Sequence, residues 1–147
     1  MQKKQQGFTL IELMITISIF AIIATMAAPS FGDMMLSQNL NKSTQDLILT
    51  LNEARSKAAL ERRPVKVQLN LSTTPINNTD NQLNWMPAGK AILKSGSPTS
   101  ITFQITGLVD ANTDTVFEIC NKAGGTKSKR VSVSKMGTIQ QTVEGTC

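Results

Sequence analysis

The sequence predicts an α+β protein: a long N-terminal helix, its first half transmembrane, packed on a small antiparallel β-sheet domain. Three observations carry this. Phe8 to Ala28 is a nearly unbroken apolar run. Helical periodicity then continues through a more polar stretch to about Glu61. After Pro64 the pattern changes to short runs of alternating apolar and polar residues separated by turn residues. A helix followed by a series of strands is the element order of the α+β class.

The helix begins behind a short basic leader. Met1 to Gly7 is polar and carries Lys3 and Lys4. At about 1.5 Å rise per residue, the apolar run spans about 30 Å, the thickness of a bilayer core. Lys3 and Lys4 hold the leader in the cytoplasm. Pro29 ends the run and is expected to kink or loosen the helix. The domain boundaries that follow are a cleaved leader at 1–7, a membrane and helix-bundle segment at 8–31, an amphipathic helical half at 32–62 and a β-rich domain at 63–147. An ordinary cleaved signal peptide is the alternative, with "ATMAAPS" supplying small residues. It leaves the Gly7–Phe8 junction and Glu12 unexplained.

Glu12 is the anomaly of the apolar run. A carboxylate at mid-bilayer costs about 2.5–3.5 kcal/mol on insertion scales, and less near the helix end. Such an acid needs a partner. Cleavage after Gly7 leaves a free α-amino group on Phe8, four residues before Glu12. That charge can pair with Glu12 of its own chain or of a neighbour. The alternative is an acid that merely reaches back to the interface.

From Gly32 onward, Leu36, Leu40, Leu47, Leu51, Ala54 and Ala58 recur at spacings of three, four or seven. They form one apolar stripe, suited to packing against a sheet. The helix ends before Pro64. "VKVQLNL" alternates as a half-buried strand does. "STTPINNTDNQ" is a loop by its turn residues. "QLNWMPAGKAILKS" holds the only tryptophan, Trp85, expected as a core or loop anchor, and a short strand near Ala91 to Leu93. "SITFQITG" and "TVFEIC" alternate, and "KRVSVSKMGTIQQTV" supplies two short strands around Gly137. Together these read as a meandering antiparallel sheet.

Composition narrows the function classes. Hydrophobic residues make up 40% of the chain, enough for a folded core. There is no histidine, so the commonest general base and metal ligand is missing. Serines and threonines are plentiful but have no histidine to activate them. No enzyme activity, metal or cofactor is expected. Cys120 and Cys147 are the only cysteines. The N-terminal signal implies export, so the two are expected to meet as a disulfide. It closes a loop of roughly 28 residues, worth about 3–4 kcal/mol by chain-entropy bookkeeping.

"GFTLIELMITISIFAIIATMAAPSF" resembles the class III leader of type IV pilins and type II secretion pseudopilins. The resemblance implies the pilin fold, a long α-helix against one or two small β-sheets. It implies that a prepilin peptidase cuts between Gly7 and Phe8 and methylates the Phe8 amino group. It also implies that Glu12 serves assembly by attracting the amino terminus of an adjacent subunit. "LNEARSKAALERRPVKVQL" resembles the pseudopilin H, FimT and FimU group, as do "FQITGLVDANTDTVFEICN" and "KRVSVSKMGTI". The implied partners are other minor pilins, major pilin subunits, the prepilin peptidase and the inner-membrane assembly platform. The implied location is the inner membrane, single-pass with the C-terminal domain in the periplasm, and then the pilus.

One departure bears on nucleic acid. Members of the group that bind DNA carry Gly-Arg-x-Arg near the C-terminus. Here the matching stretch is Gly137-Thr138-Ile139-Gln140, without either arginine. Just upstream lie Lys122, Lys127, Lys129, Arg130 and Lys135, with no acid between Asn121 and Val143. Lysine and arginine clusters bind phosphate without sequence preference. The favoured reading of Lys127, Lys129, Arg130 and Lys135 is a solvated basic face or one that meets an acidic neighbour; DNA is possible but not favoured. The expected function is that of a minor pilin in a priming or tip complex. The alternatives are a DNA-binding minor pilin and a type II secretion pseudopilin.

Overall fold

The computed structural model describes residues 7–70 and 76–147, with the side chains at 27–30 and 142–143 excepted. The basic leader with Lys3 and Lys4, the kink expected at Pro29 and part of the loop after β1 lie outside what is described. The element order is α1 (Leu10–Glu61), β1 (Val65–Leu69), β2 (Gln82–Trp85), β3 (Ile92–Leu93), β4 (Ser100–Phe103), β5 (Thr115–Cys120), β6 (Ser128–Val133) and β7 (Ile139–Gly145). The chain divides into two compact units between Met35 and Leu36.

The first unit is helical from Leu10. Its large apolar side chains, among them Phe8, Leu10, Ile11, Leu13, Ile19 and Phe20, are all exposed. A helix that is apolar all round belongs in a core or a membrane. Within the described residues nothing covers it. No single helix among them is long and apolar enough to cross a membrane; Leu10–Met26 and Phe31–Glu61 taken together meet the requirement by length and composition only.

The second unit holds the core. Leu40, Leu47, Leu51, Ala54 and Ala58 of the stripe are buried in one cluster with residues of both sheets. Their spacing puts them on one side of α1, so the stripe does face a sheet. Ser43 and Thr44 are buried there too. Their hydroxyls donate to the carbonyls of Asn39 (2.7 Å) and Leu40 (2.8 Å), which removes the cost of burying them. Trp85 is 2% exposed. Its indole N–H donates to the Ser43 carbonyl at 3.1 Å, and the Ala88 N–H donates to Ser43 Oγ at 2.8 Å. Trp85 is therefore a core anchor that ties the β2–β3 connection to α1. Arg62, at φ 51°, takes the left-handed position that ends the helix just before Pro64.

The β-rich part is two sheets rather than one meander. The first has the order β2-β1-β4, the second β3-β5-β6-β7. β1 pairs antiparallel with β4 but parallel with β2, in register Lys66↔Gln82 to Leu69↔Trp85. Parallel neighbours need a crossover of about a dozen residues, and the segment from Leu69 to Gln82 has that length. In β1, Val65, Val67 and Leu69 point inward; in β5, Phe117 and Ile119 do, and in β6, Val131 and Val133. Two glycine turns close the end of this unit. Gly137 sits at φ +75°, and a Cβ on it would run into the Gly107 carbonyl oxygen and the Arg55 side chain. Glycine is required there on both counts.

Candidate functional sites

The N-terminal site is built around the start of α1. The Glu12 N–H donates to Thr9 Oγ1 at 3.3 Å, and the Leu13 N–H to the Thr9 carbonyl at 3.2 Å. Thr9 is thus the helix cap, and Glu12 stands three residues in. Thr9-Leu10-Ile11-Glu12 is a capping-box sequence, and an acid in the first turn is also favoured by the helix dipole. This second reason for Glu12 was readable in the sequence as Thr-x-x-Glu but is masked by the more prominent cost of a membrane acid.

The other polar side chains of the segment are internally satisfied. Thr16 donates to the Leu13 carbonyl (2.8 Å), Ser18 to Met14 (2.7 Å) and Thr25 to Ile22 (2.8 Å). None of them presents a free hydroxyl to an apolar surrounding. The Glu12 carboxylate differs: among the described residues no ion pair or hydrogen bond is made to it. Phe8 lies four residues before it and is 89% exposed. The chemistry available is an unpartnered anion at the end of a wholly exposed apolar helix. A cation delivered in a low-dielectric setting would be attracted far more strongly there than in water.

The C-terminal site lies at the far end of β5, β6 and β7. Cys120 and Cys147 form a disulfide, with Cα atoms 5.8 Å apart. Next to it, Glu118 is held by three groups. The Ser128 hydroxyl donates to Oε1 at 2.6 Å, Lys94 Nζ stands 3.2 Å from Oε2, and Arg130 Nε 3.4 Å from Oε2. Burial pushes the Glu118 carboxyl up. The Ser128 and Lys94 hydrogen bonds and the Arg130 and Lys94 charges outweigh it and hold the carboxyl below its ordinary value. Lys94 also donates to the Thr146 carbonyl at 3.0 Å, so the same cluster holds the chain end.

The basic segment does not form one patch. Arg130 stands opposite Glu118 in the β5–β6 register and shares its charge. Lys135 is in the β6–β7 turn, its backbone N–H donating to Asp114 Oδ1 at 3.2 Å. At about 3.3 Å per strand residue it lies some 20 Å or more from Lys127. Lys127 and Lys129 remain together in a cleft of about 210 Å³ with Ser37, Leu40, Asn41, Ser128, Glu144 and Gly145. Two acids, Glu118 and Glu144, thus enter the neighbourhood from outside the acid-free stretch. In the matching Gly-x-x-x position, Gly137 is explained by its backbone angle and close contacts, while Thr138 and Gln140 are exposed. The arginine at this turn comes from α1: Arg55 Nη2 donates to the Met136 carbonyl at 3.2 Å. Among the described residues no cluster of three or more acidic or sulfur ligands could hold a metal ion.

A capped, exposed apolar helix leading into a helix-on-sheet domain with a disulfide-tied end defines a pilin-type subunit. Residues 2–28 match the prokaryotic N-terminal methylation motif, and residues 43–137 match the type II transport protein GspH. The chain belongs to this GspH family of pseudopilins and minor pilins. In fold it is similar to crystal structures of the type IV minor pilin FimU of Pseudomonas aeruginosa. One aligns with a TM-score of 0.57 at 23% identity, over 73% of this chain and 90% of that one. A second crystal form aligns with a TM-score of 0.52 at 22% identity, over 71% and 93%. In sequence, the fimbrial protein EcpB of Eikenella corrodens is 48% identical over 44 residues, 30% of this chain and 28% of that protein. A fimbrial protein of Pseudomonas aeruginosa is 35% identical over 63 residues, 43% of this chain and 40% of that protein. The chain therefore spans well under half the length of these curated relatives.

Proposed function

We propose that the chain is a minor pilin of a type IV pilus, contributing to the priming or tip complex through helix and globular-domain contacts. The observation that carries this is the exposed apolar helix with one unpartnered carboxylate, Glu12, in its first turn. In this reading the prepilin peptidase cuts between Gly7 and Phe8 and methylates Phe8. The subunit waits in the inner membrane with its C-terminal domain in the periplasm. The assembly platform then brings helices together, and Glu12 meets the α-amino group of an adjacent subunit. Two charges that are each costly in lipid neutralise one another, so the pairing favours the bundle over the isolated span. Major and other minor pilins are the partners.

The match of residues 43–137 to GspH supports a second reading, a pseudopilin of a type II secretion system. Deletion with complementation separates the two. The pilus reading expects loss of surface pili, restored by the intact gene, with protein secretion unchanged. Normal piliation with lost secretion would replace it by the second reading.

A further inference from the structure

The cleft between α1 and the end of β6 and β7 has polar lining that the fold does not use. It measures about 210 Å³ and is lined in part by Leu40 and Gly145. That is below the several hundred Å³ typical of small-molecule sites and enough for one side-chain head group with water. Lys129 has the inward register parity of Val131 and Val133, yet where those are buried in the core it stands half-exposed in the cleft. A cation at an inward position ordinarily finds an acid. Among the described residues neither Lys127 nor Lys129 makes an ion pair, and the Ser37 hydroxyl and Asn41 amide make no hydrogen bond. Only Ser128 is engaged, with Glu118. Glu118 in turn is already shared by Lys94 and Arg130. Among the described residues that line the cleft, the two unpaired lysines therefore outnumber its one acid, Glu144.

We propose that this cleft is a carboxylate-binding site, which takes one acidic side chain of a neighbouring subunit between Lys127, Lys129, Ser37 and Asn41. The proposal rests on the reading of the chain as an assembling pilin. A protein carboxylate fits better than a nucleic-acid backbone. The cleft admits a single anionic head, and Glu144 at its wall repels a continuous row of phosphates. A carboxylate entering beside Glu144 leaves that acid free to meet a base on the same partner.

The test is a titration of the full chain in detergent, followed by backbone amide shifts at Lys129, Asn41 and Ser37. The probes are N-acetyl-glutamate amide, its neutral glutamine analogue and inorganic phosphate. The inference expects saturable shifts with the glutamate probe only. It expects affinity weakened about tenfold by Lys129→Gln, as loss of a charged hydrogen bond does, and unchanged by Lys66→Gln on the exposed side of β1. Lys127→Gln should weaken it as well, which guards against a fold defect in a single variant. Saturation by phosphate but not by the glutamate probe would overturn the inference in favour of a phosphate ligand. So would shifts that the glutamine analogue reproduces, or that survive Lys129→Gln. If Lys129→Gln co-purifies with partner pilins as wild type does while gene deletion abolishes piliation, the cleft inference falls and the subunit reading stands.

Discussion

Replacing Glu118 by Gln removes one charge from the cluster that secures the end of the β-rich unit. The side chain is well enclosed, at 12% exposure. In wild type it accepts the hydroxyl of Ser128, which is itself buried, at 2.6 Å. A hydrogen bond to a charged acceptor contributes about 1.5–3 kcal/mol. The ion pairs with Lys94 and Arg130 are partly solvated and add about 0.5 kcal/mol each after screening. Glutamine retains shape and one acceptor oxygen, so a loss of about 2 kcal/mol is expected at neutral pH. For a unit of this size that lowers Tm by about 5–10 °C. The sign with pH follows from the depressed carboxyl. Its contribution is complete above the ordinary value of 4.5 and is lost as pH falls through the lower folded-state value. Wild type and variant should therefore converge in acid. Thermal melts of the full chain in detergent, read by Trp85 fluorescence, measure both quantities. Equal Tm at neutral pH, or a gap that persists unchanged well below pH 4.5, would refute this account of the cluster.

Further outcomes are expected elsewhere. Gly137→Ala places a Cβ in the left-handed region and against the Gly107 carbonyl. It should destabilise by about 2 kcal/mol or more, seen as a lower denaturation midpoint. Leu51→Ala, at the centre of the buried stripe, should cost about 2–5 kcal/mol in the same assay. Duplex DNA should bind only weakly and without sequence preference at near-physiological salt, because Arg130 faces Glu118 and no arginine stands at Thr138 or Gln140. Tight binding in a gel-shift titration, lost on removing charge at Lys127, Lys129 and Arg130, would bring the DNA-uptake reading forward. Mass spectrometry of the mature chain should find N-methylated Phe8 at its start; a start at Ser30 would favour an ordinary signal peptide.

The features readable from sequence are those set by local periodicity. The Leu40–Ala58 stripe, the end of α1 at Glu61 and the alternation of β1 and β5 each follow from neighbouring residues and their spacing. β2 is not legible in the sequence as a strand. Its four residues, Gln82 to Trp85, alternate correctly but sit among turn-forming residues, and its parallel pairing with β1 is decided by packing across a long connection. The C-terminal basic segment is hard to read for a related reason. Along the chain it is a row of cations without an acid. In the sheet, register sets Glu118 opposite Arg130, the β6 alternation turns Lys129 inward, and strand length carries Lys135 away. The Glu118 cluster joins β5 to Ser128 and Arg130 of β6 and to Lys94 just after β3, elements that no local spacing rule connects. Thr9 is the opposite case, a local capping signal carried by Thr9 and Glu12 alone.

The central claim is that Glu12 acts between subunits. Its most direct test is co-purification of Glu12→Ala with partner pilins, measured beside its abundance in the membrane. Removing an acid from an apolar span should leave insertion intact or improved, with at most a small loss of helix-end stability from the removed first-turn charge. The β-rich unit, which contains the core and the disulfide, should fold as before. The account predicts normal membrane abundance together with lost association and reduced surface piliation. Wild-type association and piliation in the variant would contradict it, leaving Glu12 as a first-turn acid tolerated at the membrane interface.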